Sequence, residues 1–307
     1  MKPGEKVAVW VAYGAMCLIW GTTWLAIKVG LHTLGPLTGV GLRFLIAGIF
    51  LYAIAALRGE LLPFRALPWR LVLVLAGLLF GVNYILTYTA EIELDSGMVA
   101  VLFGTLPFFA FGFSRAMLGE RITGRIVIGS LIAFGGVALI SLTKAVEASP
   151  LYALAAVGAA VSSAFANVYA KRHQHHRPLV GLPPAMVIAG TAVTALGLIF
   201  ERTDWSAAVA PAPLLALLYL SIFGSGIAFF AMMWVLQRLP VSTVALSSLI
   251  YPVIAIAAGA LLGGETVAAR ELLGSGLVIA GLWLALSTTS PPPQQVVSPS
   301  TDELASA

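Results

Sequence analysis

The amino-acid sequence predicts an all-α integral membrane protein with ten transmembrane helices, arranged as two inverted five-helix repeats with cytoplasmic N and C termini. Three observations support this: the composition, the number of long apolar segments, and a stretch that occurs twice. The 307 residues are 60% hydrophobic and 10% charged, with a mean hydropathy of +0.98. Soluble domains carry about 25% charged residues, so the composition is typical of a polytopic membrane protein.

The same composition excludes several functional classes. Nucleic-acid binding needs Lys and Arg clustered on a solvated face, which this chain lacks, so no nucleic-acid partner is expected. The single cysteine, Cys17, excludes a disulfide framework and a Cys-based zinc site. His173, His175 and His176 lie in one basic break and are interpreted as solvated loop residues, with a metal site as the alternative. We predict no bound metal and no cofactor.

The ten spans are segments of about 20 apolar residues, the length that crosses a bilayer core. Short charged or proline-bearing breaks separate them and leave no room for a soluble domain. The segments lie near 7–29, 36–57, 70–90, 96–117, 124–143, 150–170, 181–200, 212–236, 242–262 and 270–288. Residues 289–307 are rich in Pro, Ser and Gln and are predicted to form a disordered tail.

The fourth and ninth spans belong to a stretch that occurs twice. Residues 96–140 and 241–285 share eleven identical residues when aligned at an offset of 145. In the first copy these are Val99, Ala100, Pro107, Ala110, Gly119, Glu120, Arg125, Gly129, Ser130, Gly136 and Leu139. The chain is therefore a duplication, with repeats predicted at 1–145 and 146–288. Because each repeat has five spans, an odd number, the second must cross the membrane in the opposite orientation, as in many secondary transporters.

Basic residues set the predicted orientation. With a cytoplasmic N-terminus, twelve Lys and Arg residues lie inside and four lie outside, which satisfies the positive-inside rule. The inside set is Lys2, Lys6, Arg58, Arg65, Arg70, Arg115, Arg121, Arg125, Lys171, Arg172, Arg177 and Arg238. The outside set is Lys28, Lys144, Arg202 and Arg270. The expected location is the plasma membrane, which is the inner membrane of a bacterium.

Polar and aromatic side chains within the spans are the candidate binding residues. Tyr13, Cys17, Trp20 and Trp24 recur at helical spacing and share one face of the first span, which lines a cavity or packs against another helix. Buried amides and hydroxyls of other spans face the bundle interior, where interhelical hydrogen bonding is the alternative to substrate binding. The predicted substrate-binding residues are Trp20, Thr23, Trp24, Arg43, Asn83, Tyr84, Tyr88, Ser163, Asn167, Ser248 and Tyr251.

Arg43 is the charge that lies clearly inside a span, about 10 Å from the outer end of the second segment by helix rise. A charge at that depth is unfavourable and suggests a function. Two interpretations remain open. Arg43 recognises a carboxylate of the substrate, or it anchors the fold by binding backbone carbonyls freed near Pro107 or Pro252.

Pro107 and Pro252 occupy equivalent positions in the duplicated stretch. Each removes a helical N–H group and clashes with the preceding turn, and carbonyls freed at that depth need a cavity or a compensating neighbour. We predict that both are hinges of alternating access, with a static kink as the alternative. Glu120 and Glu265 end the same spans, where ion pairing or capping of the next helix is favoured over catalysis.

Three motifs resemble the EamA branch of the drug/metabolite transporter superfamily. The first span contains Trp20-Gly21-Thr22-Thr23-Trp24 followed by Lys28, the second contains Arg43-Phe44, and the fourth and ninth carry the Pro-then-Glu pattern. This resemblance, which covers residues 7–288, implies ten transmembrane helices and export or exchange of small metabolites. The aromatic-rich pocket is similar to that of amino-acid exporters. Arg43 faces Ile188 at the offset of 145, so the two halves are not equivalent in function.

The predicted function is secondary transport by alternating access, with amino acids or related compounds as substrates. An interior that is aromatic and nearly neutral, with one cation, favours zwitterionic or carboxylate-bearing metabolites over organic cations. The expected partners are a small-molecule substrate and the lipid bilayer, and the chain is expected to be a monomer. The direction of transport and proton coupling stay open.

Other functional classes remain as alternatives. An integral-membrane enzyme would need a cluster of His, Asp or Glu beside a cavity, which the sequence does not show, so no catalytic residue is predicted. A receptor or assembly factor that does not transport is another alternative. A carrier of the same superfamily for drugs or for compounds like nucleotide sugars is a third.

Overall fold

The structure is a computed structural model, and it describes residues 3–30, 34–94, 96–142, 150–173, 177–263 and 266–287. Nine of the described helices are long and apolar enough to cross a membrane, and α1, with 28 residues, precedes them. The helices are α1 (Pro3–Gly30), α2 (Pro36–Leu57), α3 (Trp69–Ala90), α4 (Gly97–Leu118), α5 (Gly124–Ser141), α6 (Pro150–Arg172), α7 (Pro178–Phe200), α8 (Pro211–Leu236), α9 (Val241–Leu261) and α10 (Ala269–Leu286). The described residues contain no strand. The predicted tail, 289–307, lies outside them.

Proline and glycine mark several helix boundaries. The helices α2, α7 and α8 begin at Pro36, Pro178 and Pro211, where the fixed φ of proline suits the first turn and its missing N–H loses no bond. Helix α4 ends at Leu118 because Gly119 adopts a φ of 67°, a left-handed conformation that glycine tolerates and that terminates helices.

Equivalent helices of the two repeats pack against each other in antiparallel pairs. The helix α2 packs along α7, and α5 packs along α10. A Cβ atom added at Gly48, near the middle of α2, would meet Val187, near the middle of α7. One added at Gly197, late in α7, would meet Thr38, early in α2. Equivalent helices therefore cross in opposite directions, which is the geometry that inverted repeats require.

Glycines let α5 and α10 approach at backbone distance. A Cβ atom at Gly136 would lie 2.6 Å from the Gly274 carbonyl oxygen, and one at Gly274 would lie 2.8 Å from the Gly136 carbonyl oxygen. Small residues at such crossings allow the van der Waals packing that holds transmembrane helices together. Gly136 is one of the eleven duplicated residues, so this contact is part of the repeat.

Two π-helical segments interrupt α3 and α8 at equivalent positions. They are Leu75–Val82 and Leu220–Ile227, and the offset of 145 converts each bound of the first into that of the second. The structural duplication thus extends to the third and eighth spans, beyond the stretch in which identical residues revealed it. A π segment departs from regular helical hydrogen bonding and is frequently found at functional sites.

The two duplicated prolines have different local settings. Helix α4 is broken at Gly104 and Thr105, and Pro107 is the second residue of the helix that follows. Helix α9 is broken at Leu246, whereas Pro252 lies inside the continuous helix after that break. Both helices that carry a predicted hinge, α4 and α9, are therefore discontinuous, but at positions that are not equivalent.

Glu120 caps a distant helix and not the next one, which corrects that expectation. Its carboxylate accepts hydrogen bonds from the N–H groups of Val241 and Ser242 at 2.7 and 3.2 Å, at the start of α9. Carboxylates at a helix N-terminus satisfy N–H groups that lack intrahelical partners. The duplicated Glu265 lies outside the described residues.

A second carboxylate, Glu201, caps a helix in the same way on the opposite side of the bundle from Glu120. Glu201 accepts hydrogen bonds from the N–H groups of Leu37 and Thr38 at 2.7 and 2.9 Å, at the start of α2. We name the side with Glu120 the basic face, because the ends of α2, α4, α6 and α8 there carry basic residues. These are Arg58, Arg115, Lys171, Arg172 and Arg238.

Candidate functional site

Side chains from five helices meet inside the bundle. They are Trp20 of α1, Arg43 of α2, Tyr84 of α3, Phe229 of α8 and Tyr251 of α9, and we name them the central cluster. The Trp20 ring packs edge-to-face on Phe229 and Tyr251, with centroids 5.1 and 5.6 Å away. The Arg43 guanidinium lies 5.7 Å from the centroid of the Tyr84 ring. The cluster draws on both repeats, as expected for a site between inverted halves.

Arg43 is buried, with 4% of its surface exposed. Its Nε donates a hydrogen bond to Ser225 Oγ at 2.6 Å, and its Nη2 donates one to the Gly224 carbonyl oxygen at 3.1 Å. Both acceptors lie in the π segment of α8. Among the described residues no carboxylate comes within 4.0 Å of Arg43. Arg43 is thus a buried cation held by neutral acceptors.

Arg43 binds a backbone carbonyl, as the anchoring interpretation expects, but that carbonyl belongs to Gly224 in α8 and not to a residue near Pro107 or Pro252. The same carbonyl accepts a hydrogen bond from Trp20 Nε1 at 3.0 Å, so α1 and α2 are both tied to the π segment. A guanidinium has five N–H donors, and these bonds use two of them. The rest of its planar fork suits bidentate binding of a carboxylate.

Asn83 and Asn167 each carry a buried acceptor without a partner in the described part of the chain. Asn83 Nδ2 donates to the Leu79 carbonyl oxygen at 3.2 Å, but the Oδ1 atoms of both residues have no hydrogen bond. A buried unsatisfied polar atom is unfavourable by about 1–3 kcal/mol. Two amide oxygens are therefore ready to accept hydrogen bonds from a bound molecule or a water molecule.

Three other predicted residues satisfy their hydroxyl groups locally. Thr23 Oγ1 donates to the carbonyl three residues earlier at 2.7 Å, and Ser248 Oγ does the same at 3.0 Å. The Tyr251 hydroxyl shares a 2.7 Å hydrogen bond with Ser247 Oγ. The Tyr251 ring belongs to the central cluster. The hydroxyl groups of Thr23 and Ser248 instead form hydrogen bonds to carbonyls three residues earlier in the chain.

Two further predicted residues lie on α3 and α6. Tyr88 is half-buried on α3, one turn after Tyr84, and Ser163 is buried on α6. The hydrogen bonds and ring contacts of the described residues join neither Ser163 nor Asn167 to the central cluster. The side chain of Trp24 lies outside the described part of the structure.

Sequence reasoning missed the residues of α8 that complete the cluster. Gly224 and Ser225 hold Arg43, and Phe229 packs on Trp20. At the offset of 145, Phe229 corresponds to Tyr84, so the duplication could have located it. The run Gly224-Ser225-Gly226 in an otherwise apolar span was the available signal for an irregular helix.

A titratable group lies at the end of α3 that is opposite the basic face. Glu91 follows the last residue of the helix, and burial raises the pKa of its carboxyl group. The neighbouring Glu93 is exposed, and Asp95 lies outside the described residues. The ionisation of Glu91 is therefore coupled to folding.

Known proteins resemble the chain over nearly its whole length. Residues 8–142 and 150–287 match the EamA-like transporter family. The chain is 30% identical to the uncharacterized inner membrane transporter YedA of Escherichia coli K12, over 97% of each chain. It is 27% identical to the probable amino-acid metabolite efflux pump of Salmonella typhimurium LT2, over 87% of this chain and 91% of that protein. A solved crystal structure, 21% identical, superposes with a TM-score of 0.82 over 92% of this chain and 97% of that chain, and shows the fold alone.

Proposed function

The chain belongs to the EamA-like transporter family and is a multi-pass transporter of the plasma membrane, and on that premise we propose that it exports or exchanges amino acids or related compounds by alternating access. The family expected from the sequence motifs is confirmed. Export is supported by the name of the Salmonella typhimurium relative, a probable amino-acid metabolite efflux pump. The substrate class is supported by the chemistry of the central cluster.

The proposed topology has ten spans, with α1 as the tenth beside the nine candidate helices. Both termini are in the cytoplasm, and the basic face is the cytoplasmic one, because Lys and Arg are retained on that side of membrane proteins. The repeats are 1–145 and 146–288. The antiparallel packing of α2 on α7 and of α5 on α10 supports this division.

The observation that carries the substrate class is the state of Arg43. A buried guanidinium without a carboxylate partner keeps a strong attraction for an anion, because hydrogen bonds from neutral groups do not neutralise its charge. A substrate carboxylate would supply the missing charge. Asn83 Oδ1, on the residue next to Tyr84, would then accept a hydrogen bond from the amino group of the same zwitterion.

The aromatic rings of the central cluster would contact the rest of the substrate. The Trp20 ring packs edge-to-face on both Phe229 and Tyr251, and these packed rings provide the apolar surface that the substrate would contact. Pro107 and Pro252 are the proposed hinges. The breaks in α4 and α9 near these prolines support bending of both helices during the transport cycle.

The test is uptake of labelled amino acids by proteoliposomes that contain the wild-type protein or one of two variants. Arg43→Lys keeps the charge but loses the planar fork, so KM should rise about 10- to 100-fold, as expected for hydrogen bonds to charged groups worth about 1.5–3 kcal/mol. Ser225→Ala is the comparison variant, because it removes one structural partner of Arg43 and leaves the unused N–H groups of the guanidinium in place. Because Ser225 helps to orient the guanidinium, the KM of this variant should rise, but clearly less than that of Arg43→Lys.

Two outcomes would contradict the proposal. If the folded wild-type protein transports none of the labelled amino acids, the proposed substrate class is contradicted. Equal increases of KM in both variants would show that Arg43 acts through the structure and not through contact with substrate.

A further inference from the structure

A crevice with an apolar floor opens on the basic face between α3, α6, α7 and α8. Leu71, Leu75, Leu182 and Met233 form its floor, and all four are buried in the bundle. The space inside it is only about 30 Å³, so it is a shallow crevice and much smaller than a small-molecule site. The central cluster and this crevice share no residue, so the crevice is a separate feature of the molecule.

Basic side chains form the rim of the crevice. Lys171 Nζ donates a hydrogen bond to the Leu236 carbonyl oxygen at 2.7 Å, which uses one of its three N–H donors. Arg177, with 74% of its side chain exposed, lies 3.5 Å from a Glu60 carboxylate oxygen. His173 also lines the rim. In the part of the chain that the structure describes, no carboxylate lies within 4.0 Å of Lys171.

The side chains that line the rim are basic, and two carboxylates lie close to them. Glu120 accepts hydrogen bonds from the N–H groups at the start of α9 and keeps its negative charge, which acts on Lys171. An anion at the mouth would meet Lys171 and Arg177 together, with the carboxylates of Glu60 and Glu120 as opposing charges.

The depth of the crevice matches the headgroup region of a bilayer. Its deepest α3 residue, Leu75, lies six residues from the start of the helix, about 9 Å by helix rise. The segment before α3 exposes Leu61, Leu62 and Phe64, and the Phe64 ring packs 4.5 Å from that of Trp69. Exposed aromatic and aliphatic residues at helix ends are typical of the membrane–water interface.

We propose that this crevice binds an anionic phospholipid, with its phosphate group at Lys171 and Arg177 and the start of one acyl chain over the apolar floor. A soluble anion would use the basic rim alone, whereas a lipid would also place apolar chain beside the exposed side chains of Leu61, Leu62 and Phe64 that precede α3. Basic pockets between transmembrane helices bind anionic headgroups in this way. The lipid would join α6 and α7 to α3 and stabilise the basic end of the bundle.

The test is native mass spectrometry of the full chain with phosphatidylglycerol or phosphatidylcholine. Wild-type protein should retain phosphatidylglycerol preferentially. Lys171→Gln and Arg177→Gln should each reduce that preference about fivefold, since one basic residue contributes about 1 kcal/mol near an anionic lipid. Arg115→Gln is the matched control, because Arg115 is exposed on the same face outside the crevice, and it should leave the preference unchanged.

A second arm distinguishes a lipid from a free anion. Inorganic phosphate at the same phosphate concentration should not displace phosphatidylglycerol, and equal displacement would overturn the proposal in favour of a soluble anion. Unchanged lipid preference in Arg177→Glu would also overturn it. That variant keeps the test valid if Lys171→Gln does not fold, because the Arg177 side chain is largely exposed.

Discussion

At the scale of single residues, Arg43 shows how a membrane protein can hold a cation without neutralising it. Ser225 and the Gly224 carbonyl orient the guanidinium and leave its net charge in place. An interior carboxylate would have held Arg43 more tightly, but it would have competed with a substrate carboxylate for the same donors. The neutral partners therefore fit a binding role as well as an anchoring one.

Ser225→Ala should lower the stability of the protein, because it leaves a buried charged donor without its acceptor. Hydrogen bonds to charged groups contribute about 1.5–3 kcal/mol, and a loss of that size should appear as a lower Tm in detergent. Ser248→Ala is the control, since its hydroxyl bonds only a carbonyl of its own helix, an interaction that adds little stability. Equal Tm values for the two variants would contradict the assigned role of Ser225.

Glu91 gives the stability a defined pH dependence. Because burial raises its folded-state pKa, the contribution of Glu91 is fully present below its unfolded pKa of about 4.3 and is lost as pH rises through the folded-state value. The Tm of Glu91→Gln relative to wild type should therefore increase from pH 4 to pH 8. A relative Tm of Glu91→Gln that falls with pH would contradict the assignment.

At the scale of helices, two carboxylates connect elements at opposite ends of the bundle with matched chemistry. Glu120 and Glu201 each accept two backbone N–H groups and one hydroxyl. Glu120 joins α4 to α9, the helices with the proposed hinges. Glu201 joins α7 to α2, which pack along most of their length.

Replacing either carboxylate should destabilise the protein, but only one replacement should alter transport strongly. Glu120→Ala and Glu201→Ala should each lose about 1–2 kcal/mol, the range for helix caps. The exchange rate in proteoliposomes should change more for Glu120→Ala, because α4 and α9 move against each other in the proposed cycle. Equal changes of rate would indicate that the two contacts serve stability alone.

The crossing of α5 and α10 offers a test with adjacent glycines. Gly136→Ala should destabilise by about 3 kcal/mol, at the upper end of the overpacking range, because its Cβ would meet the backbone of α10. Gly135→Ala has nothing within 4 Å of the added Cβ and should be neutral or stabilising by about 0.5–1 kcal/mol. Thermal unfolding of both variants checks this, and similar Tm values would contradict the close packing.

At the scale of the whole molecule, hydropathy predicted the spans closely. The second span was expected at 36–57 and is Pro36–Leu57, because Pro36 starts the helix and the charged residues after Leu57 end the apolar run. The π segments were not predicted. Hydropathy measures the polarity of side chains, and a change from regular to π hydrogen bonding leaves that polarity unchanged.

The central cluster was only partly predictable, again because sequence patterns report side chains and not backbone contacts. Trp20, Arg43, Tyr84 and Tyr251 stood out as polar or aromatic residues in apolar spans, and the structure brings them together. The partner of Arg43 did not stand out, because a backbone carbonyl has the same chemistry at every residue. The Gly224 carbonyl becomes the partner of Arg43 because α2 and α8 approach each other there, which is a property of the folded chain.

The central claim is that the buried charge of Arg43 selects substrates that carry a carboxylate. The most direct measurement is competition in proteoliposomes, with a transported labelled amino acid displaced by the same amino acid or by its decarboxylated amine. The amino acid should compete fully, and the amine, which lacks the carboxylate, should compete at least about tenfold more weakly, as expected for lost hydrogen bonds to a charged group. Equal competition by the amine, or preference for a lipophilic cation, would contradict the claim.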